Sequence, residues 1–339
     1  MLPDYVIPGG HSIGVLLTSQ GIIVVGYDTL VLAEGKSYSP GRQAGIEPGD
    51  LLLEANGKPL LTIQDLAAQI QKAGEEQRPL ELMVKRDQDV QIIAVRPQEI
   101  GENRYRIGLY VRDGANGVGT LSFVSPETQI YGALGHVITD LDTGKPLTIR
   151  HGSIAKALIS NVTAGTRGRP GEKIGVFQPN ENTWGSIAAN TEYGIFGRLE
   201  SLEPVTNPYF PEPIPVAFAG EVYPGTAEIY TVVQGDQIEK FEVEIERVMN
   251  QHTPSDKGLV LHITDPQLLD KTGGIIQGMS GSPIIQNGKL AGIVTHVFVN
   301  DPTRGFGVLA EWMVQKSKEV SRQGTVSVPS FLLSDVSAS

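Results

Sequence analysis

The apolar positions of this chain fall into short runs broken by turn residues, the rhythm of β-structure. Two runs, Ile13-Gly14-Val15-Leu16 and Ile22-Ile23-Val24-Val25, stand on either side of Gly21 and predict a hairpin. The apolar strand Leu51-Leu52-Leu53 leads into a turn at Asn56-Gly57. Leu66, Ile70 and Ala73 then recur at helical spacing behind Thr62, which is suited to cap the helix they predict. Strands Leu80–Lys85 and Val90–Val95 follow, and the polar break Arg96-Pro97-Gln98-Glu99 marks the best domain boundary. Beyond it, from Ile107 to Val308, strand-like pieces recur every ~10 residues. Turns are expected at Gly144, Gly168-Arg169-Pro170-Gly171, Gly194 and Asn287-Gly288. Such spacing favours a sandwich or barrel over βαβ units. A short helix is expected over Leu309–Lys318, and a loose end from Ser334.

Composition agrees with this picture. The 339 residues suffice for two or three domains, and 40% hydrophobic residues supply a core. Gly 40 and Pro 22 suit many turns. The net charge of -11, with no long Lys/Arg cluster, argues against nucleic acid as a partner. The absence of cysteine removes disulfides, thiol nucleophiles and thiolate zinc sites. No stretch approaches the ~20 apolar residues of a membrane helix. Met1-Leu2-Pro3-Asp4 lacks the basic-then-apolar pattern of a signal peptide.

The run Gly278-Met279-Ser280-Gly281-Ser282-Pro283 carries the chemistry. Flanking glycines let the backbone turn sharply around a serine and leave amides open to a developing oxyanion. A Ser nucleophile needs a base, and there are six histidines: His11, His136, His151, His252, His262 and His296. His136 follows Gly135 at the end of an apolar stretch, whereas His262 and His296 alternate with apolar neighbours as packing or lining residues would. His11 falls in the first module. An acid to orient the imidazole could be Asp265 or Asp140, and each also has a plain turn reading. Metal ligation fits poorly, because on a β pattern His136 and Asp140 stand about 13 Å apart. No cofactor is expected. The glycine-rich run Gly165–Lys173 fails phosphate-loop spacing and reads as a tight turn with a solvated basic tip.

Two resemblances sharpen this reading. Ala44-Gly45-Ile46-Glu47-Pro48-Gly49-Asp50, the strand after it and Asn56-Gly57 resemble a PDZ domain. In such domains a helix like the one after Thr62 borders a groove where an extended peptide adds to a sheet edge. Nearly the whole chain resembles the sporulation stage IV protein B serine peptidases of endospore-forming Firmicutes. The resemblance rests on Ile7-Pro8-Gly9-Gly10-His11-Ser12-Ile13-Gly14-Val15, Gly132-Ala133-Leu134-Gly135-His136 and Pro170-Gly171-Glu172-Lys173. It also rests on Asn190–Gly197, Gly273–Pro283 and Thr295–Pro302.

The resemblance implies a mainly β protein of two domains. An α+β PDZ domain over 10–98 would precede a chymotrypsin-like double β-barrel over 103–325, with a loose tail over 326–339. Ser280 would be the nucleophile, His136 its base and Asp265 the acid, with backbone amides of Gly278 and Ser280 as the oxyanion hole. Such a peptidase would cleave itself and a regulator of an intramembrane metalloprotease, triggering a mother-cell sigma-factor checkpoint. It would act after secretion from the forespore into the intermembrane space, although the family's N-terminal targeting segment is missing here. The alternative is a PDZ peptide-binding adaptor whose β-barrel domain is inactive.

Overall fold

The computed structural model describes residues 4–31, 37–177, 183–249 and 254–323. His252 and the expected loose tail over 326–339 lie outside the described residues. By its contacts the chain divides into two compact units. The smaller comprises Leu16–Asn116 and Ile138–Gly152; the larger comprises Met1–Val15, Gly117–Val137 and Ser153–Ser339.

In the smaller unit the helix Ile63–Glu75 forms where its spacing predicts. Thr62 accepts from the Asp65 amide while Asp65 accepts from the Thr62 amide, a reciprocal capping box. Leu66, Ile70 and Ala73 turn its buried face to a core of Ile22, Val24, Leu52, Leu80 and Leu82. The strand Leu51–Ala55 lies between Ser12–Tyr27 and Leu80–Arg86, and Asp89–Val95 pairs outside the latter. The expected hairpin at Gly21 is not formed, because Ser12–Tyr27 is one continuous strand. Gly21 is needed there for a close approach: a Cβ would lie 2.4 Å from the Leu52 carbonyl oxygen.

The unit also runs past the polar break where a boundary was expected. Gln98–Glu99 pairs with Tyr105–Arg106, and Ile107 is buried in the same core as Leu66. Gly74 of the helix leaves room for the Tyr105 ring, which a Cβ would meet at 2.1 Å. The next strand, Leu109–Val124, pairs with Ser12–Tyr27. The compact unit thus extends beyond residue 98, the expected end of the PDZ module, to Asn116.

The larger unit contains a closed antiparallel barrel of six strands. In barrel order they are Gly225–Val232, Ile238–Val248, Leu259–Ile263, Asp301–Leu309, Lys289–Phe298 and Pro283–Gln286. Alternate residues point inward, as a two-residue period requires. Val243, Ile245, Leu259, Leu261, Ile284 and Val294 fill the barrel. A second set of strands pairs in the order Ile214–Pro215, Tyr5–Pro8, Leu109–Val124, Ile130–Ala133, Gly194–Leu199, Thr183–Thr191 and Ile149–Lys156. Phe123 and Phe196 from this set share a core with Ile293 and Val308 of the barrel and Met313 of the helix Ala310–Gln323. That helix is the one expected from Leu309, extended by a further turn.

Candidate active site

The nucleophile turn lies just before the barrel strand Pro283–Gln286. Met279 is completely buried in the barrel core and anchors the turn, while Ser280 stays half-buried. Gly278 and Gly281 both have left-handed φ, 92° and 98°. A side chain at Gly281 would meet the Thr120 carbonyl oxygen at 2.0 Å, so this position admits only glycine. Ser282 is buried and donates to the Met279 carbonyl at 2.6 Å, which leaves Ser280 as the serine available to a substrate.

The amides of this turn are divided between two tasks. Those of Gln277, Met279, Gly281 and Ser282 donate to Gly171, Ile276, Val294 and Met279 carbonyls. Among the described residues, those of Gly278 and Ser280 donate to nothing. These are the two amides expected to form an oxyanion hole.

His136 sits after the strand Ile130–Ala133, beyond two residues that reverse the chain, Leu134 (φ 69°) and Gly135 (φ 73°). Left-handed backbone at a leucine costs on the order of 1–2 kcal/mol. Burial of Leu134 between Gly119 and Gly281 holds it there. The Leu134 amide nitrogen would touch a Cβ on Gly281 at 2.7 Å, so the histidine loop runs directly beside the nucleophile turn. His136 Nδ1 lies 2.9 Å from the Val137 carbonyl oxygen. A carbonyl only accepts, so Nδ1 carries the proton and Nε2 keeps its lone pair, the tautomer a general base needs. Burial lowers the His136 pKa, with the Val137 carbonyl and the Asp256 charge opposing. The ring is therefore neutral at pH 7, with Nε2 unprotonated. No hydrogen bond joins Ser280 Oγ to His136 among the described residues; such bonds often tighten only when substrate binds.

Among the described residues neither expected acid bonds to this ring. Asp265 caps the helix Pro266–Thr272, accepting from the Gln267 amide at 2.9 Å and the Leu268 amide at 3.1 Å. Its other oxygen accepts from the Glu242 amide at 3.2 Å. The carboxylate is thus committed to backbone groups, where a helix N-terminus favours it. Asp140, in the smaller unit, is buried and takes the amides of Asp142 and Thr143, the Thr143 hydroxyl and Arg112. It closes its own turn, as its plain reading predicted.

The structure brings two other groups to His136. The His296 ring lies 5.0 Å from it, centroid to centroid, and His296 Nδ1 is 3.9 Å from an Asp256 oxygen. Burial, and then the neighbouring His136, lower the His296 pKa, while Asp256 raises it. Asp256 is therefore the carboxylate whose charge acts on both imidazoles. The sequence reading gave His296 a lining role and passed over Asp256, which lies in a turn with no motif around it. His262 lies 3.7 Å from Glu246, and His151 belongs to the smaller unit. His11, expected in the first module, belongs to the larger unit, where Nε2 meets the Thr206 carbonyl and burial lowers its pKa to about 4. Among the described residues no cluster of three His, Cys, Asp or Glu could hold a metal ion.

A second candidate site lies in the smaller unit. A cavity of about 590 Å³ opens between the helix Ile63–Glu75 and the stretch Arg104–Val111, lined by Ile63, Leu66, Ile70, Ile107 and Leu109. The cavity lies beside the helix where a peptide groove was expected, and its far wall is the stretch that the sequence reading left outside the module.

Residues 103–314, more than half of the chain, match the model of the SpoIVB peptidase S55 family. The chain belongs to the SpoIVB peptidase S55 family. Residues 33–83 match a PDZ domain. A putative serine protease HhoB of Synechocystis is 40% identical over 67 residues, which span 19% of this chain and 15% of that protein. Two solved structures of the Rv3671c protease of M. tuberculosis are 16% identical. The active form has a TM-score of 0.33 over 63% of this chain and 76% of that one. An inactive form has a TM-score of 0.31 over 60% and 84%. In this S55 chain the Ser280 and His136 elements both fall inside the matched residues, and no described helix is long and apolar enough to cross a membrane.

Proposed function

We propose that this chain is a serine endopeptidase whose nucleophile is Ser280 and whose base is His136. His136 Nε2 takes the Ser280 proton as Oγ attacks a peptide carbonyl, then gives it to the leaving amine as the C–N bond breaks. Water repeats the cycle on the acyl-enzyme. The observation that carries the proposal is the pair of uncommitted amides, Gly278 and Ser280, on either side of a committed one. Aimed at the tetrahedral oxyanion, each such donor is worth roughly 10²–10³ in turnover. The Val137 carbonyl sets the tautomer that a carboxylate sets in the Ser-His-Asp arrangement, and Asp256 supplies the negative charge.

Within that reading the PDZ groove presents an extended peptide. By resemblance, the substrates are the chain itself and a regulator of an intramembrane metalloprotease, cleaved in sporulation signalling after secretion from the forespore. A binding-only adaptor has one observation in its favour, the unmade Ser280–His136 bond. Incubation with an unfolded protein separates the two. The peptidase cleaves it, and Ser280→Ala and His136→Ala do not. An adaptor would bind peptides in all three forms and cleave with none.

A further inference from the structure

Lys173 is a buried cation that the mechanism above does not use. It follows the exposed turn Thr166–Arg169, yet only 5% of its surface is exposed. The solvated tip expected of this run ends before it. Among the described residues no carboxylate pairs with it, and its ammonium meets hydroxyls: Thr231 Oγ1 at 2.8 Å and Thr120 Oγ1 at 3.5 Å. Both threonines are completely buried. An unpaired buried ammonium is costly, and burial lowers its pKa to about 7.

What surrounds Lys173 is the nucleophile turn. The Gln277 amide donates to the Gly171 carbonyl at 2.8 Å, and the Lys173 amide donates to the Gln277 carbonyl at 2.9 Å. A trans peptide sends its C=O and N–H in opposite directions. Tying the Gln277 carbonyl to Lys173 therefore turns the Gly278 amide the other way, free of protein acceptors. One peptide later, Thr120 Oγ1 donates its single proton to the Gly278 carbonyl at 2.7 Å, so toward Lys173 it can only accept. The Thr120 amide holds the Ser280 carbonyl at 3.0 Å.

We propose that Lys173 is a positioning residue for the oxyanion hole. Its amide orients the Gln277–Gly278 peptide, and its side chain, through Thr120, fixes the peptide after it. This inference rests on the serine-peptidase reading of Ser280. A fluorophosphonate places its phosphoryl oxygen where the oxyanion forms, so the rate of labelling reads the hole. Lys173→Met keeps an unbranched stem, one atom shorter, and removes the donor, whereas Thr120→Val cuts the link to Gly278. Each should slow labelling and kcat about tenfold, a fraction of the loss of a whole donor, with KM within about twofold. The double variant should be no slower than Thr120→Val alone, since one chain of contacts is broken once.

Labelling of Lys173→Met at the wild-type rate would overturn the inference, as would a loss of kcat no larger than the loss of folded protein in a melting curve. If Lys173→Met does not fold, Thr120→Val, with the lysine still in place, decides by the same rates. Absence of labelling in the wild type, equal to Ser280→Ala, would sink the underlying reading instead.

Discussion

Replacing Lys173 by methionine should change how stability depends on pH in a direction the structure fixes. Burial lowers the pKa of this lysine from its ordinary 10.5 to about 7. Between those values the unfolded chain holds a proton that the folded chain lacks. Stability from this group therefore rises with pH through that window, and the burial penalty is fully present below it. Each pH unit is worth about 1.4 kcal/mol, less near pH 7 where the folded lysine is partly charged. From pH 7 to pH 9 the wild type should gain about 2 kcal/mol that Lys173→Met does not. Urea unfolding at both pH values, in a Ser280→Ala background to prevent self-cleavage, measures it. Other titrating groups are common to both proteins and cancel in the difference. A stability gap between the two proteins that stays flat over this range would show that Lys173 is not a desolvated cation.

Three further outcomes are expected. Asp256→Asn removes the charge that raises the pKa of His136 and His296, so the acid limb of kcat/KM should move to lower pH, checked by a pH–rate profile. Asp265→Ala removes a helix cap and should cost about 1 kcal/mol in urea unfolding while leaving that acid limb in place; a shifted limb would instead tie Asp265 to His136. During purification the wild type should shorten by self-cleavage while Ser280→Ala stays intact, followed by intact mass; equal lengths would remove self-cleavage from the proposal.

The sequence showed most clearly what local pattern determines. The helix after Thr62 was legible because its period and its capping box lie within one segment. Ser280 and His136 could be proposed because a glycine-flanked serine turn and a histidine behind Gly135 are local patterns. Gly21 misled because a glycine between apolar runs has two physical causes, a turn or a close approach, and here the Leu52 carbonyl decides for the second. The stretch 105–116 was set apart from the first module because a polar break stands before it, although it belongs to the same compact unit. Asp256 and His296 come to His136 only through contacts distant in sequence, which no spacing rule encodes. Lys173 read as a solvated charge beside two arginines. Only its inward place in the strand Glu172–Val176, between the more exposed Glu172 and Ile174, reveals a buried one.

The central claim is that Ser280, served by His136 and two free amides, is a nucleophile. Fluorophosphonate treatment of the folded protein, followed by intact mass and peptide mapping, tests it most directly. The account predicts one adduct per chain, on Ser280 and not on buried Ser282, and none in His136→Ala. A folded wild type that takes up no adduct, or carries it on another residue, would contradict it.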